Sequence, residues 1–118
     1  MSVAWEKFQG ATLSLARSGS IKDRLLDAYR NHLADVSEAD LPREIRDEFR
    51  AVSSCFTRER PALRGEDAAR ATVRKMSNDE ADRLACSVVR IFSELPRAES
   101  AELRAKSAQV IPLFIAEA

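Results

Sequence analysis

Apolar residues recur at three- and four-residue steps along most of this chain, and no segment alternates apolar and polar with a period of two. That regularity restricts the fold to helices, because a half-buried strand needs the two-residue period. A helix with one apolar stripe is satisfied only by packing that stripe against another. The 118 residues are one domain's worth of chain, long enough to bury roughly two-thirds of the unfolded surface without disulfides or a metal. The sequence therefore predicts an all-α, compact single-domain bundle of about five helices, occupying residues 1–109, followed by an apolar C-terminal tail over 110–118.

The stripes place the helices. Trp5, Phe8, Thr12 and Leu15 mark a first helix from Ser2 to about Arg17, broken by Ser18-Gly19-Ser20. Ser20 has the position of an N-cap for a second helix to about Val36, striped by Ile21, Leu25, Ala28, Tyr29, His32, Leu33 and Val36. After a loop ending at Pro42, Ile45, Phe49, Val52 and Phe56 define a third. A long loop containing Pro61 and Gly65 leads to a short helix from about Glu66 to Met76. Ser77 and Glu80 then have capping-box spacing, and Met76 stands where it can staple onto Ala81. The helix that follows carries Ala81, Leu84, Ala85, Val88, Phe92 and Leu95 in register and is predicted to stop at Pro96. Ala98 to Gln109 reads as a separate, mostly polar helix. Trp5, Phe8, Leu15, Leu25, Tyr29, Phe49, Val52, Leu84, Val88 and Phe92 are the predicted core.

Charge excludes some functions and leaves others open. Lys+Arg and Asp+Glu both number 19, so no global field draws the chain to nucleic acid or an anionic membrane, and any such binding needs a local patch. No apolar run approaches the roughly 20 residues that span a bilayer. The N-terminal residues lack the basic start and apolar run of a signal peptide, so a cytoplasmic location is expected. Cys55 and Cys86 then read as reduced thiols, and the single histidine leaves no metal-ligand spacing. No cofactor motif is present. Arginine well outnumbers lysine, the usage of a GC-rich bacterial genome.

Four features are candidates for chemistry. Arg58, Arg60, Arg64, Arg70, Arg74 and Lys75 form a basic cluster opposed locally by Glu59, Glu66 and Asp67. Arg64, Arg70, Arg74 and Lys75 are the candidate anion-binding residues, since guanidinium groups one turn apart grip phosphate or carboxylate in bidentate fashion. The bland alternative is a solvated face with Glu66–Arg70 as an i,i+4 pair. The apolar tail supplies a candidate interface, Val110, Ile111, Leu113, Phe114 and Ile115, which either closes the bundle or meets another subunit. His32, inside an apolar stripe, is expected at the core edge with Asp35 as its hydrogen-bond partner.

The fourth feature is paired carboxylates. Glu44-x-x-Asp47 and Asp79-x-x-Asp82 resemble the ExxE…ExxD pattern of all-α nucleotide pyrophosphohydrolases, a resemblance that implies a magnesium-dependent nucleotide hydrolase. It covers two tetrapeptides. At 100° per residue, Asp47 lies nearly opposite Ile45 and Phe49, and Asp79 opposite Ala81 and Val88, so both should face solvent. The leading expectation is a non-enzymatic protein-interaction or regulatory module, a homodimer or a subunit of a larger assembly. Anion or nucleic-acid binding through the Arg58–Lys75 cluster is the alternative.

Overall fold

Short polar side chains set where the helices begin. Ser2 accepts the Trp5 N–H and opens α1, Val3–Leu15. Ser20 accepts the Asp23 N–H and opens α2, Ile21–Ala28. Asp67 accepts the Arg70 N–H at 2.8 Å and opens α4, Ala68–Lys75. Ser77 accepts the Glu80 N–H at 3.1 Å at the head of α5, Asn78–Glu117. Each such bond satisfies a helix donor that would otherwise have no partner. Only α3, Arg43–Phe56, starts from a residue without a side-chain cap, Pro42, whose fixed φ suits a helix start.

The computed structural model describes backbone residues 2–117, and side chains as far as residue 108. Among the described residues the chain is all-α, with five α-helices and no strand. The helix α5 runs against α1, α2 and α3, while α4 packs on α2 and α3. Phe8, Leu25, Ile45, Phe56, Val88, Ile91 and Leu95 are almost fully buried in the shared core. Aromatic pairs bind the helices to one another. The Trp5 and Phe92 rings are 5.4 Å apart, and Tyr29 stacks on Phe56 at 4.4 Å. Every predicted core residue packs here, although Trp5, Tyr29 and Phe92 stay half-buried because they close its edges.

Three departures from the sequence reading have physical causes. First, α2 does not continue as an α-helix to Val36; it passes into a π-helical turn, Tyr29–Leu33, in which the Ala34 N–H donates to the Tyr29 carbonyl at 2.8 Å. The wider turn carries Leu33 into the core and sets His32 against Gly10 of α1. His32 makes no hydrogen bond to Asp35; its ring packs on the glycine instead. Second, the capping box forms in one direction only, because the Glu80 carboxylate is taken by Arg58 at 2.5 Å.

Third, α5 does not stop at Pro96. It is one helix of 40 residues, about 60 Å long at 1.5 Å per residue, and it matches the 66 Å long axis of a molecule otherwise 27 × 21 Å across. Buried Ile91, Leu95 and Ala98 keep it helical through the proline, which loses one backbone hydrogen bond. The predicted break between a fifth helix and a polar helix over 98–109 is thereby removed. The expected division at 109/110 falls inside α5, and side chains beyond it lie outside the described residues. Among the described residues Ala98 is the last buried side chain, and residues 103–108 are all exposed. No described helix is long and apolar enough to cross a membrane.

Candidate functional site

The loop between α3 and α4 is anchored from inside. The buried Thr72 hydroxyl accepts the Glu59 N–H at 3.0 Å and donates to the Ala68 carbonyl at 2.7 Å. Gly65 turns the chain at φ 77, a conformation that a residue with a Cβ adopts only with strain. Glu66 then does most of the fixing. Its side chain is 3% exposed, accepts the Ala62 and Leu63 N–H groups at 3.1 and 3.2 Å, and takes a two-pronged bond from Arg74 at 2.7 and 3.3 Å. The Arg74 guanidinium first, and the two backbone donors after it, hold the carboxyl down at about 2. It is therefore ionised at any physiological pH.

This arrangement differs from the predicted Glu66–Arg70 pair for a local reason. Glu66 precedes the cap residue Asp67, so it is not on the helix and the i,i+4 geometry does not exist. Arg70 is left without an ion-pair partner among the described residues, as is Arg64. The rest of the cluster is mostly neutralised: Arg58 by Glu80, Arg74 by Glu66, and Lys75 by Glu59 at 3.3 Å.

Arg64 and Arg70 open onto a cleft of about 480 Å³ between α2, α4 and the loop. Arg70, Val73 and Arg74 present one face of α4, while Lys22, Asp23 and Leu26 present the facing side of α2. Lys22 donates to the Arg74 carbonyl at 2.8 Å, where the end of α4 favours a cation. Leu26, Leu63 and Val73 give the cleft an apolar floor, and Leu63 stands 57% exposed at its mouth. Four cations against two carboxylates leave an excess of two positive charges along the lining. The volume is within the range that holds a small ligand or a few residues of a peptide.

Of the four candidate anion-binding residues, the fold brings Arg64, Arg70 and Arg74 together and turns Lys75 away to Glu59. Lys22, Asp23, Leu26 and Leu63 were not foreseen. Their membership follows from the α2–α4 contact, for which the sequence carries no local signal. The acidic pairs do not converge. Asp47 is 93% exposed beside Arg50, Glu44 faces Arg97, and Asp79 and Asp82 are exposed. Among the described residues no three His, Cys, Asp or Glu side chains cluster as metal ligands would. Cys55 and Cys86 are free thiols. The candidate interface residues Val110 to Ile115 have side chains outside the described residues. Comparison with family models, with curated proteins and with solved structures finds no match to this chain.

Proposed function

We propose that this chain is a non-enzymatic interaction module that grips an anionic segment of a partner protein in the cleft between α2 and α4. The observation that carries the reading is the pair of guanidinium groups, Arg64 and Arg70, which have no ion-pair partner among the described residues and stand beside an apolar floor. A lone guanidinium on a surface needs no explanation. Two that share a cleft, with their expected acidic partner diverted to Arg74, are poised for carboxylates from outside. The floor of Leu26, Leu63 and Val73 suits an apolar side chain carried between those carboxylates. No aromatic lines the cleft, so the base stacking that supports single-strand binding is missing. Arginine-rich usage supports a bacterial setting, and a cytoplasmic one belongs to the same proposal.

The test is a titration of the full chain with a labelled peptide of alternating Glu and Leu at low salt. Binding is expected to weaken steeply with added salt. Replacing Arg64 and Arg70 together with alanine should weaken it by about tenfold or more, the equivalent of one charge-assisted hydrogen bond. Lys75→Ala, outside the cleft, should leave it unchanged. No binding at low salt, or an indifferent double variant, overturns the reading. A single-stranded oligonucleotide that displaces the peptide and depends on the same arginines would overturn it in favour of nucleic-acid binding.

A further inference from the structure

Residues 60–65 are all exposed, so burial does little to hold the loop that borders the cleft. Among the described residues, every hydrogen bond made by this stretch goes to Glu66. Ala62 and Leu63 donate their N–H groups to Glu66 Oε2 at 3.1 and 3.2 Å, and the Glu66 N–H donates back to the Leu63 carbonyl at 3.1 Å. On its other side Glu66 Oε1 accepts from Arg74 Nε at 2.7 Å, and Oε2 accepts from Arg74 Nη2 at 3.3 Å. A single carboxylate therefore ties an otherwise unsupported loop to α4.

That carboxylate acts on the cleft in two ways. It fixes Leu63, which completes the apolar floor with Leu26 and Val73. It also fills the two-pronged face of Arg74, so a carboxylate entering from outside meets Arg64 and Arg70 instead.

We infer that Glu66 sets the selectivity of the cleft, making it choose an anionic segment that also carries an apolar side chain over a plain anion. This deepens the function proposed above and rests on it. With Glu66 in place the floor is whole and Arg74 is withheld, so the apolar side chain supplies a large share of the affinity. With its charge removed, Leu63 is released and Arg74 is freed. Four cations then face Asp23 alone, and the excess of positive charge along the lining rises from two to three. The first change weakens an apolar ligand, and the second strengthens a plain anion. A general structural defect would weaken both.

The test titrates the full chain with two labelled peptides of equal charge, one alternating Glu with Leu and the other Glu with Ser. The parent is expected to prefer the leucine peptide about tenfold or more, the value of burying one leucine side chain. In Glu66→Gln, which keeps the shape and removes the charge, the leucine peptide should bind more weakly. The serine peptide should bind at least as tightly as to the parent, so the preference falls toward one. Amide exchange read by NMR should quicken at Ala62 and Leu63 and stay unchanged in the core helices. The Asp67 cap and the buried Ala69, Ala71 and Val73 hold α4 without Glu66, so circular dichroism should report the same helix content. Leu63→Ala, at an exposed position, is the second variant: it should weaken the leucine peptide and leave the serine peptide unchanged. A preference in Glu66→Gln equal to the parent's, unchanged exchange at Ala62 and Leu63, or an indifferent Leu63→Ala would overturn the inference. A parent that binds neither peptide overturns the proposed function itself, while exchange at Ala62 and Leu63 still decides whether Glu66 holds the loop.

Discussion

A methyl group added at Gly10 would lie 2.4 Å from Nδ1 and 3.1 Å from Cγ of His32. The second distance decides the outcome, because Cγ is the root of the ring and cannot swing aside as a flexible tip would. Helix propensity alone favours Gly10→Ala by up to about 1 kcal/mol. Overpacking a fixed ring costs typically about 1–3 kcal/mol. Gly10→Ala is therefore expected to destabilise the chain by about 1–2 kcal/mol in urea unfolding, and His32→Ala in the same chain should recover most of that loss. A more stable Gly10→Ala chain would show that the π-helical turn does not press His32 onto α1. The sequence makes Gly10 look like a weak point in α1, since the residue that needs it is 22 positions away. Residue-scale features with partners three positions off were legible: Ser20 and Ser77 cap as their spacing predicts. Glu66 was not. Its partners are Arg74 and two loop amides, and a two-residue shift in the start of α4 is enough to change them.

Elements were legible wherever an apolar stripe and a cap agreed, and illegible where a local stop signal competed with burial. Pro96 is such a signal. Proline in a helix interior is disfavoured by about 3 kcal/mol relative to alanine. Burial of Ile91, Leu95 and Ala98 on both sides offsets that cost, so α5 continues. Pro96 itself is exposed, and alanine there would lose little packing. Part of the gain is returned because proline also restricts the unfolded chain, an effect of about 0.4–1 kcal/mol. Pro96→Ala is expected to raise stability by about 2 kcal/mol, several degrees in melting temperature. A helix that ended at residue 95 would be indifferent to the change. The cleft is the converse case. Its arginines were visible in sequence, while the α2 side chains that make them a site depend on which helices touch.

At the scale of the whole molecule, α5 belongs to two regions. Its first half supplies one wall of the core, which ends at Ala98 among the described residues, and the side chains of residues 103–108 are exposed. Stability tracks the apolar surface removed from water, and the exposed stretch removes almost none. A chain ending at residue 102 is therefore expected to fold cooperatively, with a midpoint within a few degrees of the full chain measured at low concentration. The new end leaves four carbonyls without helix partners, but they lie in water as at any surface terminus. The slope of the urea transition is the sharper measurement, because it scales with the surface exposed on unfolding. That slope should barely change, as residues 103–108 are exposed in both states. A clearly shallower slope, or a shortened chain that fails to fold, would mean that the segment carrying Val110 to Ile115 closes the bundle of its own chain. In that case the apolar tail would be core.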